Sequence, residues 1–76
     1  MIQRERGEVP PWRQVADDLQ RRIESGEFPP GGPVPSAAAL SAEYRVSRST
    51  AAKAVTALRK EGLVITVKGW GAFVRR

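Results

Sequence analysis

Near the start of the chain, apolar residues return every three or four positions. Trp12, Val15, Ala16, Leu19 and Ile23 fall on one side of an α-helical repeat, and polar residues fill the other side. This spacing predicts a helix from about Trp12 to Ser25, with Pro11 suited to its first turn and Gly26 to its C-terminal cap. The next stretch, "EFPPGGPVP" (27–35), holds four prolines and two glycines. It cannot continue a helix and reads as a connecting loop, with Phe28 as its apolar anchor to the core. Ser36 is placed to cap a short second helix over 37–44, in which Leu40 and Tyr44, four apart, form a small buried stripe. Arg45 and Val46 make a turn, Ser47 caps a third helix over 48–60, and Glu61-Gly62 ends it. The period then changes. "LVITV" (63–67) is a β-branched run, "KGWG" (68–71) a glycine-containing turn of four residues, and "AFVRR" (72–76) a second short strand, together a β-hairpin.

Helix, loop, helix, tight turn, helix and hairpin together predict a mainly α fold with a small β-hairpin. This is a winged helix-turn-helix of three helices and a two-stranded wing over 12–76, preceded by a flexible polar arm at 1–11. In such an arrangement the third helix is the one that lies in a DNA groove, so its two faces matter. At about 100° per residue, with Arg48 at zero, Ala51, Ala54, Val55 and Leu58 cluster near 290°. Arg48, Ser49, Ala52, Lys53 and Thr56 cluster near 70° on the same wheel. The first stripe packs on the domain and the second is left free. Its small residues permit close approach, while Arg48 and Lys53 reach phosphates or the acceptor edge of guanine. The helix N-terminus adds unpaired N–H groups and the positive end of the dipole, with Ser47, Ser49 and Thr50 beside it. Ser47 serves as a cap in any case, and solvation alone accounts for Ser49 and Thr50 equally well.

Charge sharpens this picture. The 76 residues carry a net +5, unevenly spread. Residues 1–44 hold five cations and seven anions, whereas 45–76 hold eight cations and Glu61 alone. A basic half on a neutral scaffold points to a polyanionic partner. Other chemistries recede. With neither cysteine nor histidine, thiolate chemistry, the commonest zinc sites and the usual neutral-pH base are absent. Asp17 and Asp18 point to different sides of a helix, with Arg21 and Arg22 spaced for ordinary surface pairs, so no catalytic centre is expected. "KGWG" lacks the spacing and the strand-to-helix context of a phosphate-binding loop. No cofactor or metal is expected. No apolar run is long enough to span a membrane, and "MIQRERGEVPP" is not followed by the apolar stretch of a secretory signal, so a cytoplasmic location is expected.

The segment "VPSAAALSAEYRVSRSTAAKAVTALRKEGLVITVKGWGAFV" resembles the DNA-binding domain of the GntR family of bacterial transcription regulators. The likeness rests on Pro35-Ser36, Leu40, "AEY" (42–44), "VSRST" (46–50), "KEGL" (60–63) and the "KGWGAFV" wing, with "IESGEFPPG" (23–31) matching the usual N-terminal segment. The resemblance implies a winged helix that binds operator DNA as a dimer. It implies operator contacts at Ser47, Arg48, Ser49 and Thr50, and wing contacts near the minor groove at Lys68 and Gly69. With Ser36, Lys53 and Trp70 added, these are the candidate DNA-binding residues.

Two departures stand out. Ala38 and Ala52 occupy positions where the family usually has arginine, each a contact worth about 1–3 kcal/mol of base discrimination. Their loss implies either weaker, more electrostatic binding or a different target sequence. Trp70 is also unusual at a wing tip. It either wedges at the minor groove or packs on the domain surface or on a second subunit, and packing is the expected role. Members of the family typically continue into an effector domain, so no small-molecule effector site is expected in this chain. The chain is expected to be either a separate DNA-binding domain or a small protein without ligand control. Two functions fit: double-stranded DNA binding by a regulator, most simply a repressor, or a winged-helix module whose blunted face contacts another protein.

Overall fold

The computed structural model describes residues 9–76, and residues 1–8 of the arm lie outside the described residues. Three helices and a hairpin follow in the expected order: α1 (Pro11–Glu24), α2 (Ala37–Tyr44), α3 (Arg48–Lys60), β1 (Val64–Val67) and β2 (Gly71–Val74). α1 begins one residue earlier than its apolar stripe suggests, because Pro11 takes the first helical position and Pro10 is its N-cap. The end of the assigned arm therefore belongs to the domain. Val9 is held there as well, its carbonyl accepting from Gln14 Nε2 at 3.0 Å.

α3 packs against both α1 and α2. Val15, Ala16 and Leu19 from α1, Leu40 and Tyr44 from α2, and Ala51, Ala54 and Leu58 from α3 share one buried core, closed by Val34, Val46, Val64 and Val74. Two alanines on α3 let the helices come close, and Leu58 fills the space beyond them. The tight α2–α3 turn needs a left-handed residue at Arg45, φ 57°, and the Ser41 hydroxyl secures it by donating to the Val46 carbonyl.

Arg22 joins three segments. It donates to Glu27 (2.6 Å), to Glu43 (2.8 Å) and to the Tyr44 hydroxyl (2.8 Å), and its guanidinium lies 4.5 Å from the centre of the Phe28 ring. Phe28 is thereby pinned to the core edge, as the loop reading expects. The Tyr44 hydroxyl in turn donates to Asp18 Oδ2. Burial, reinforced by the bond to Asp18, pushes the Tyr44 phenol up to about 12. Burial also works against the Asp18 carboxylate, but bonds from Tyr44 and Arg21 outweigh it and hold Asp18 below its ordinary value. The i to i+3 pair of Asp18 with Arg21 is present. Asp17, however, pairs back to Arg13, and Arg22 turns away to α2, so these arginines are more than surface partners of their own helix.

The hairpin pairs Val64 with Val74 and Val67 with Gly71. Because Gly71 is already in the ladder, the turn is Lys68-Gly69-Trp70, three residues rather than four, with the Trp70 N–H donating to the Val67 carbonyl at 2.9 Å. The second strand correspondingly ends at Val74 rather than Arg76. The proline-rich stretch is more than a connector. Gly31 N–H donates to Val74 O, Val74 N–H to Gly32 O, and Val34 N–H to Ala72 O, all at 2.8–2.9 Å, so residues 31–34 run along the free edge of β2. Pro33 sits opposite Phe73, where the ladder asks for no N–H, and the missing donor therefore does no harm.

Candidate nucleic-acid interface

The arrangement leaves α3 with one buried face and one open face. Ala51, Ala54 and Leu58 are inaccessible to solvent, while Arg48, Ser49, Ala52 and Lys53 are exposed and Thr56 is half-buried. This is the division the helical wheel predicts.

Both serines assigned as caps act as caps. Ser36 Oγ accepts from Ala39 N–H at the start of α2 (3.1 Å), and Ser47 Oγ accepts from Thr50 N–H at the start of α3 (3.0 Å). The Ser47 hydroxyl proton goes to Thr50 Oγ1 at 2.9 Å, leaving Thr50 its own proton to donate outward. Ser47 thus orients Thr50, and polarises it in the direction that favours an anionic acceptor. Arg48 and Ser49 flank this pair on the exposed first turn. Lys53 is less free than the wheel implies. Its Nζ lies 5.2 Å from the centre of the Trp12 ring, whose other neighbour is Arg13 at 5.5 Å, so α1 holds it in a cation–π contact at the margin of the open face.

A second group of candidates meets across a groove of about 690 Å³. Ser36 and Ala37 at the head of α2, Ala52 and Thr56 on α3, and Lys68, Gly69 and Trp70 at the wing tip line it, together with Pro33 and Pro35. The structure therefore brings Ser36, Lys68, Gly69 and Trp70 together around the small face of α3, with Ser47, Arg48, Ser49 and Thr50 on the first turn of the same helix. Thr66 also lines the groove and escapes notice in the sequence. Strand alternation holds the missing signal: Thr66 shares a side with buried Val64, and near the turn of the hairpin that side meets the groove beside α3. Trp70 departs from the expected packing on its own domain, since 80% of it is exposed.

The carboxylates collect elsewhere. Asp17, Asp18, Glu27, Glu43 and Glu61 all pair with Arg13, Arg21 or Arg22 of α1. Glu61, the one anion of the basic half, is drawn 2.7 Å from Arg13. Arg48, Lys53 and Lys68 are exposed on α3 and the wing and give that surface a positive sign.

Residues 11–74 match the family model described as "Bacterial regulatory proteins, gntR family". The chain belongs to this family. Over all 76 residues this GntR-family chain is 41% identical to an uncharacterized HTH-type transcriptional regulator of Rhizobium meliloti, covering 31% of that relative. It is 35% identical over 69 residues to the mannosyl-D-glycerate transport/metabolism system repressor MngR of Escherichia coli, spanning 91% of this chain and 29% of MngR. The chain thus spans about a third or less of the length of these relatives. Among solved structures, AraR (its DNA-binding domain, in complex with an operator) superposes with a TM-score of 0.83 at 33% identity, covering 87% of this chain and 80% of that one. YtrA from Sulfolobus acidocaldarius, a GntR-family transcription factor, gives 0.86 at 29% identity over 100% of this chain and 79% of its own. The fold is the winged helix of the GntR DNA-binding domains.

Proposed function

We propose that this chain is a DNA-reading module of a transcription regulator. α3 enters the major groove with Arg48, Ser49 and Ala52 foremost, and the wing approaches the adjoining minor groove through Lys68, Gly69 and Trp70. One observation carries the reading: the small residues Ala52 and Thr56 of α3 line one groove with the capped N-terminus of α2 and the basic wing tip, and the capped first turn of α3 is exposed as well. Ser36, Thr50, Arg48 and Lys68 hold phosphates, and Lys53 joins them by leaving the Trp12 ring. No catalytic step is assigned to any residue. The action is repression, the role that the names of MngR and of a Bacillus subtilis relative give for those proteins, and its site is an operator in the cytoplasm. Two copies on a two-fold site supply the affinity that a single half-site lacks.

Selection of bound duplex from a random pool tests this directly. A recovered consensus with a two-fold repeat is the expected result. Recovery of no sequence preference, together with no chemical-shift change at residues 47–56 and 68–71 on adding duplex, points instead to a module that contacts protein.

A further inference from the structure

Trp70 is 80% exposed, far more than Ile65 or Val67, the other large apolar side chains left open among the described residues. It stands on a bare stretch of backbone. Gly69 (φ +82°) and Gly71 (φ +111°) flank it in conformations that ordinary side chains resist, and a Cβ at either would meet nothing within 4 Å. The tip is therefore a thin loop carrying one indole. Trp70 is among the residues that line the same groove as Ala52 and Thr56, so the tip stands beside the open face of α3.

We propose that Trp70 is a wedge, which inserts its indole between two base pairs from the minor groove, partly unstacks them and bends the duplex. The inference rests on the DNA-binding reading and adds the manner of binding. The minor groove is about 6 Å wide, which admits a glycine-flanked tip and excludes a thicker one. Lys68, two residues before the indole, carries the charge for the phosphates beside the opened step. The energetic exchange is favourable in kind. An apolar ring leaves water and gains a base face, which offsets part of the lost base stacking, and the bend brings more phosphate against a basic surface. Its neighbour in type, Trp12, is half-buried and engaged with Arg13 and Lys53, so it is not equivalent.

The test uses the 76-residue chain and the duplex recovered by selection, end-labelled with a donor and an acceptor dye. The unaltered chain is expected to shorten the end-to-end distance. Trp70→Ala is expected to raise Kd about tenfold, the scale of one lost stacking contact, and to return the distance to that of free duplex. Its melting temperature without DNA should match the unaltered chain, and Trp70→Leu should keep part of the bend. Native affinity and native distance in Trp70→Ala overturn the wedge. So does a parallel loss of melting temperature, or the loss of self-association in the DNA-free protein, which assigns the indole to a second copy. Arg48→Ala separates the two levels. If it loses binding while Trp70→Ala does not, only the wedge fails, and if the unaltered chain binds no duplex, the DNA reading fails with it.

Discussion

Arg48 and Lys68 occupy exposed positions where a side chain has little to do for the fold. Replacing either with alanine should lower DNA affinity, reduce the slope of log K against log salt by about 0.9, and leave the melting temperature within a degree or two. Equal losses of affinity and stability would assign them to structure. Ser47 should behave differently, because it both caps α3 and orients Thr50. Ser47→Ala is expected to cost about 1 kcal/mol of stability by thermal melting, and affinity besides. Ala52 gives the reverse experiment. Ala52→Arg should raise affinity and impose about 1–3 kcal/mol of new base discrimination, read as a changed consensus on repeating the selection. At this scale the sequence carries type and periodicity, and these put Arg48, Ser49 and Ala52 outside, where the structure has them. It said nothing of Lys53 resting on Trp12, because that contact joins residues 41 positions apart on different helices.

Among the elements, the α1–α2 junction turns on Arg22, Tyr44 and Asp18. Asp18 is held below its ordinary value, so its contribution to stability is present above the usual carboxylate range and disappears as pH falls through the folded value. Tyr44 is raised to about 12, so its contribution is intact below pH 10 and is lost as pH climbs toward 12. The melting temperature should therefore hold a plateau through neutral pH and fall at both ends. Asp18→Asn should flatten the acid side, and Tyr44→Phe the alkaline side. An unchanged acid limb in Asp18→Asn would place the titration elsewhere. The apolar stripe of α1 is plain in the sequence, yet nothing in it told that Arg22 would turn inward. Spacing along one helix suggests partners three or four residues away, whereas Glu43 and Tyr44 arrive from another helix. The loop at 31–34 was opaque for a related reason. Pro and Gly mark a break in local structure, and only the position of β2 turns that break into a paired edge.

For the whole molecule, the segregation of charge is the property that bears on partners. With the carboxylates gathered around α1, binding through the α3 and wing surface should be strongly salt-dependent. About four neutralised phosphates give a slope near −3.6 between 50 and 300 mM salt, and a flat line would exclude a phosphate-led mechanism. The same surface depends on a small core. Leu58→Ala, on the buried side of α3, should cost about 2–5 kcal/mol and reduce DNA binding only by depleting the folded state. A low-temperature titration in which the folded fraction binds normally would confirm that division of labour between the two faces of α3.

The order of elements, the two faces of α3, both serine caps and the uneven charge follow from residue type and short-range spacing. These are set by steric and hydrogen-bonding preferences acting over a few residues. The meeting of Ser36, Ala52, Thr66 and Trp70 around one groove, the paired edge at 31–34 and the exposure of the Trp70 indole were decided by the tertiary structure. Each depends on how far one packed element stands from another, and that distance is set by the volume of the shared core rather than by any local run of residues.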